Sequence, residues 1–103
     1  MIVVLCTVNT KETAKNIAVA LIENKLAACV NIVPNISSVY SWNGNTVIDD
    51  EFLLIIKTQE YNYNKLEEKI KSIHPYELPE IISFNIDNGS KEYLDWLIAN
   101  TRV

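Results

Sequence analysis

The chain opens on an apolar run in which Ile2, Val4, Cys6 and Val8 alternate with Val3, Leu5 and Thr7. A period of two over 2–8 predicts a strand, and apolar residues at both parities predict one covered on both sides. The spacing then becomes helical. Ala14, Ile17, Ala18, Leu21 and Ile22 share one face, Asn9 with Glu12 three residues on resembles a capping box, and Asn24-Lys25 closes the helix.

Residues 28–42 read as a long strand interrupted at Pro34, a residue that places a strand segment at an edge or a bulge. Asn43-Gly44 is the strongest hairpin signal in the chain, because both residues tolerate positive φ. The return strand spans Thr46 to Thr58 around Phe52-Leu53-Leu54-Ile55-Ile56. A second helix follows, with Asn64 as its cap, Glu67 three residues on, Leu66, Ile70 and Ile73 as its stripe, and Pro75 as its stop. Glu80 to Asp87 predicts the fourth strand, with Ile82, Phe84 and Ile86 alternating. Asn88-Gly89 turns the chain, and Ser90 caps a last helix that carries Tyr93, Leu94, Leu97 and Ile98.

The predicted order is β-α-β-β-α-β-α, an α+β chain. Its first six elements are those of a ferredoxin-like βαββαβ sandwich, here with an extra C-terminal helix. Right-handed crossovers give an antiparallel sheet in the order 4-1-3-2.

Two helices cover one face of such a sheet, and one short third helix is too small to cover the other. The first and third strands are nevertheless apolar on both faces. The middle hairpin also exceeds the roughly 5–6 residues per strand of ordinary domains, and its tip carries Tyr40 and Trp42, residue types favoured at interfaces. Both features predict an oligomer. They do not set the number of copies.

Composition narrows the picture. The 103 residues make a single domain over 1–103, and 49% hydrophobic content supports a packed core without disulfides or a structural metal. The net charge is −4, with Arg102 the sole arginine and the lysines scattered, so no basic face for nucleic acid is expected. The opening apolar run lacks a basic flank and stops well short of the roughly 18 residues of a membrane span. No signal peptide and no membrane contact are therefore expected. Cys6 and Cys29 form no CxxC and lie in apolar runs, which reads as reduced thiols in a cytoplasmic protein.

Cys6, His74 and Glu80 are the candidate metal group. Thiolate and imidazole suit copper or zinc, with a carboxylate as third donor. In the order 4-1-3-2 the end of the first strand lies beside the start of the fourth, and His74 ends the helix that feeds it. Each residue also has a structural reading: Cys6 as a small buried hydrophobe, His74 as a ligand of the helix's last carbonyls, Glu80 as a solvated carboxylate. Cys29 reads as core or interface. Asp49-Asp50-Glu51 reads as a solvated edge that blocks wrong pairing, with a cation-binding or cleft-lining reading second to it. Lys57, at the end of an apolar strand, either meets an anionic ligand in an intersubunit cleft or snorkels to solvent.

Several segments resemble the CutA family of divalent-cation tolerance proteins. They are Lys25 to Pro34, Ser38 to Gly44, Glu51 with Ile56-Lys57-Thr58, His74 to Ile82, and Tyr93 to Leu97. They run in the family's order over nearly the whole chain. The resemblance implies a ferredoxin-like protomer in a homotrimer with its sheets packed inward, an architecture similar to that of the PII signalling proteins. It also implies tolerance to divalent cations, chiefly copper, with Cys6 and His74 as copper ligands. It implies no catalytic reaction and no organic cofactor. Some members carry a second histidine before the first, where this chain has Ile73 on an apolar stripe, so a two-histidine site is not expected. The PII-like picture adds Trp42, Tyr76 and Glu77, with Lys57, as candidates to line a small-molecule cleft between subunits. The competing reading is then a ligand-sensing or protein-anchoring module in which metal binding is incidental. An acylphosphatase-like enzyme ranks last, because it needs an arginine cradle.

Overall fold

The computed structural model describes residues 1–102. The elements are β1 (Ile2–Val8), α1 (Lys11–Glu23), β2 (Cys29–Trp42), β3 (Asn45–Thr58), a 3₁₀ turn (Glu60–Asn62), α2 (Tyr63–Ile73), β4 (Ile81–Asn85) and α3 (Lys91–Ala99). The strands form one antiparallel sheet in the order β2-β3-β1-β4. This is the expected α+β sandwich, with α3 as the added helix.

Strand parity sorts the side chains. Ile2, Val4, Cys6 and Val8 of β1 and Leu54 and Ile56 of β3 are buried beneath Ala14, Ile17 and Leu21 of α1 and Leu66 and Ile70 of α2. Burying each large aliphatic side chain contributes about 1.5–3 kcal/mol. The opposite parity faces away from α1 and α2. There Val3, Leu5, Leu53 and Ile55 are half-buried, and Ile82 and Phe84 of β4 stay 53% and 52% exposed. α3 covers one end of this second face. Its Leu97 is buried, and the Tyr93 phenol lies beside the Cys29 thiol, its pKa raised first by burial and then by that neighbour. A clasp fixes the end of the helix: the Thr101 carbonyl accepts from the Tyr61 hydroxyl at 2.7 Å and from Asn62 Nδ2 at 3.1 Å.

Several boundaries depart from the pattern-based reading. Thr10, not Asn9, caps α1, its hydroxyl accepting the Thr13 N–H at 3.2 Å. The helix closes with Lys25 at φ 58° and the Leu26 N–H on the Leu21 carbonyl at 2.9 Å, a Schellman arrangement with lysine in glycine's usual place. Asn64 is not a cap. The 3₁₀ turn brings the chain into α2 two residues earlier, with Asn62 at the cap position, and the buried Asn62 spends its amide on Thr58 and Thr101. β4 is shorter than expected, because pairing with β1 covers Ile81–Asn85 and leaves out Glu80, Ile86 and Asp87.

β2 and β3 are fourteen residues each and pair to the tip, where Asn43 and Gly44 take φ 51° and 79°. The break at Pro34 is a bulge: register shifts between Val33 and Ile36, and Asn35 takes φ 59°. Beyond it, Ser38, Tyr40 and Trp42 share a face with the odd-numbered positions of β3. The hairpin projects. The radius of gyration is 14.1 Å with extents of 44 × 26 × 22 Å, against about 13 Å expected of a compact chain this long.

Candidate functional site

His74 organises the site. As the C-cap of α2 it donates its backbone N–H to the Ile70 carbonyl at 2.8 Å. Its ring, only 8% exposed, lies within hydrogen-bond distance of the β1 backbone: Nε2 is 2.7 Å from the Thr7 carbonyl. The other nitrogen, Nδ1, accepts the Tyr76 N–H at 3.1 Å. A carbonyl requires a donor and an N–H requires an acceptor, so the ring is the neutral Nε2–H tautomer. The ring packs edge-on against Tyr76, with centroids 4.6 Å apart. The expected alternative, a ring capping the last carbonyls of α2, gives way to this longer-range bond.

Pro75 ends the helix, and the chain through Tyr76, Glu77, Leu78, Pro79 and Glu80 then bridges toward the hairpin. The Tyr76 hydroxyl donates to Glu51 Oε2 at 2.7 Å. Burial and the Glu51 carboxylate both push the Tyr76 phenol pKa strongly upward. At the hairpin the Tyr40 hydroxyl donates to Asp49 Oδ2, which raises the Tyr40 pKa.

Between hairpin and loop lies a groove of about 830 Å³. Tyr40, Trp42, Asp49, Asp50 and Glu51 line it from the hairpin, Tyr76, Glu77 and Glu80 from the loop, and Thr7 and Asn9 from the end of β1. Among the described residues no lysine, arginine or histidine lines it. It lies at the hairpin end of the sheet's second face, the parity shared by Thr7 and Glu51.

The structure thus gathers Trp42, Tyr76, Glu77 and Glu80, four of the residues proposed from sequence, into one groove. Lys57 is not among them. It sits at the other end of the second face, donating to Asn31 Oδ1 with its Nζ 4.0 Å from Cys29 Sγ. Glu51, read first as part of a solvated acidic edge and second as a cleft-lining residue, is only 5% exposed. The available signal was its place in the apolar β3 run, next to Phe52.

Cys6 pairs with Ile81 across β1 and β4, so it does lie beside the start of β4 as expected. Its side chain, however, points into the helix-covered core, fully buried. Burial first, then the nearby Glu80 and Glu51 charges, push its thiol up to about 12. Burial thus favours its neutral thiol form. His74 has both ring nitrogens engaged. Among the described residues no three His, Cys, Asp or Glu side chains group to hold a metal ion. Cys6, His74 and Glu80, the expected metal group, lie as neighbours, with the Cys6 side chain in the core, both His74 ring nitrogens hydrogen-bonded and Glu80 lining the groove.

Comparison with known proteins agrees with the fold. Residues 2–100 match the family model described as CutA1 divalent ion tolerance protein. The chain is 52% identical over 99 residues to the divalent-cation tolerance protein CutA of Thermus thermophilus, covering 96% of both. It is 50% identical to a chloroplastic CutA protein of Oryza sativa, of which it spans only 57%. Among solved structures, the Thermus thermophilus protein superposes with a TM-score of 0.96 at 51% identity, covering 99% of this chain and all of that one. A CutA of Archaeoglobus fulgidus, titled a periplasmic divalent cation tolerance protein, superposes at 0.95 with 37% identity, covering 99% of this chain and all of that one.

Proposed function

The chain belongs to the CutA1 divalent ion tolerance protein family, and from that premise we propose that it serves divalent-cation tolerance as a cytoplasmic homotrimer. Its functional site in this reading is the groove between hairpin and loop. The observation that carries it is the joining of Glu51, Glu77 and Glu80 with Trp42 and Tyr76 in one groove free of basic side chains. Divalent cations, copper included, are attracted there by carboxylates brought from two separate segments. Cys6 and His74 act indirectly. The Cys6 thiol fills the core beneath, and the His74 ring holds the loop that forms one wall.

The trimer is supported by the unfinished second face. Ile82 and Phe84 are large apolar residues left open beside half-buried Val3, Leu5 and Ile55, and the fourteen-residue hairpin arms extend beyond the body. A second copy satisfies both. The groove adjoins that face, so in a trimer it opens at a subunit boundary. The two free cysteines suit a reducing compartment. Fractionation of the native cells tests the location, with the protein expected in the soluble cytoplasmic fraction and recovery from an envelope compartment contradicting it.

The reading as a ligand-sensing module has its own support: the groove's size and aromatic walls resemble those of small-molecule sites. Calorimetric titration with copper(II) and zinc separates the site assignments. Replacing Glu51, Glu77 and Glu80 together by glutamine is expected to weaken binding at least tenfold, and Cys6→Ala to leave it unchanged. Binding lost with Cys6→Ala and retained in the triple variant would contradict the groove as the cation site.

A further inference from the structure

Both glycines of the chain follow an asparagine, at Asn43-Gly44 and Asn88-Gly89. Asparagine is a thermolabile residue, and glycine after it removes the side chain that would obstruct attack on its amide. In that reaction the glycine nitrogen bonds to the asparagine Cγ, the Cγ–N bond breaks and ammonia leaves, closing a five-membered succinimide. One water then opens the ring at either carbonyl. The product is aspartate, or isoaspartate, in which the main chain runs through the former side-chain carbon. No oxidant and no cofactor is consumed.

The fold exposes both dipeptides but gives them different room. Asn43 and Gly44 are the whole loop between the paired Trp42 and Asn45. A Cβ placed on Gly44 would meet no heavy atom within 4 Å beyond its chain neighbours. On Gly89 the same atom would lie 3.0–3.2 Å from the Leu94 side chain. Ser90, the next residue, is fixed as the cap of α3: its hydroxyl accepts the Tyr93 N–H at 3.3 Å and its carbonyl the Leu94 N–H at 2.9 Å. Ring closure must turn the peptide plane between asparagine and glycine. The hairpin tip leaves space for that turn, and the start of α3 obstructs it.

We propose that Asn43 is a site of spontaneous deamidation and isoaspartate formation, an ageing modification at the hairpin tip, and that Asn88 is shielded from it. The two products differ in consequence. Aspartate keeps the turn, because Asp-Gly also accepts positive φ at both loop positions. Isoaspartate inserts a main-chain carbon into a two-residue loop and adds a negative charge. The loop then no longer matches the spacing of its arms, and the pairs Trp42–Asn45 and Ser41–Thr46 lose their register. Trp42 lines the groove, so the change at the tip reaches the groove's wall.

The test is prolonged incubation of the purified protein at mildly alkaline pH, once folded and once in urea. Peptide mass spectrometry follows the amide-to-acid mass gain at each site, and labelling by an isoaspartyl methyltransferase counts isoaspartate. In urea the two sites are expected to convert at similar rates, since the dipeptide is the same. In the folded protein Asn43 should convert at least threefold faster than Asn88. Asn43→Asp removes the amide and keeps the turn, and should lower the labelling at least fivefold, whereas Asn88→Asp should leave it unchanged. Hydrogen exchange at Trp42 and Asn45 should accelerate in the isoaspartate fraction. Equal rates at the two sites in the folded protein, faster conversion of Asn88, or an intact Asn43 after both sites have converted in urea would overturn the assignment. Unchanged exchange in the isoaspartate fraction would overturn its proposed effect on the hairpin.

Discussion

The two faces of the sheet are built from the same strands and have opposite fates. On one, Val4, Cys6, Leu54 and Ile56 are fully buried under α1 and α2. On the other, one residue along, Leu5 and Ile55 are half-buried and Ile82 and Phe84 lie open. Amino-acid type hardly differs between them; coverage does. Local pattern therefore specifies that a face must be covered, and topology decides whether the chain covers it itself. The first face stabilises the protomer. The second leaves its apolar area open, and the groove sits where that face runs out along the hairpin.

The largest effect is expected on the covered face. Leu54→Ala removes a fully buried side chain at the centre of the core and should lower unfolding stability by about 2–5 kcal/mol, measured by urea denaturation. Ile82→Ser on the open face should instead act on association. Dilution followed by light scattering is expected to show subunits parting at a concentration at least tenfold higher, since burying one such side chain contributes about 1.5–3 kcal/mol. If Ile82→Ser left association untouched, the contrast between the faces would collapse.

A third variant addresses the wall of the groove. His74→Phe keeps a ring of similar shape but strands the Thr7 carbonyl and the Tyr76 N–H, at about 1–3 kcal/mol. Hydrogen exchange at Tyr76 should accelerate more than exchange in β1. Equal protection would mean that the ring is not the latch.

The smallest effect is a pH dependence. The Cys6 thiol has its pKa raised from 9.0 to about 12 by burial, with Glu80 and Glu51 adding to it. Its contribution to stability is present below pH 9 and is lost as pH rises toward 12, because the unfolded chain releases its proton first. In Cys6→Val the fall of melting temperature over that window should be shallower than in the wild type. An unchanged slope would show that Cys6 does not titrate on unfolding.

The elements most legible in the sequence were those set by local repetition. The alternation over 2–8, the stripe through Ala14, Ile17 and Leu21, and the Asn43-Gly44 turn announced strand, helix and hairpin, and the strand order followed from handedness. Local competition was less legible: Asn9 and Thr10 both qualify as caps, and only backbone geometry chose Thr10. Least legible were bonds between distant residues. His74 reaches Thr7, and Tyr76 reaches Glu51. Those bonds engage the imidazole and hold at the groove a buried Glu51 that pattern alone reads as a solvated acid.

Sedimentation equilibrium of the wild-type protein at micromolar concentration tests the central claim most directly. The account predicts a species of three times the 11.7 kDa chain mass; a mass of one chain would mean that the open face is not an interface and would contradict it.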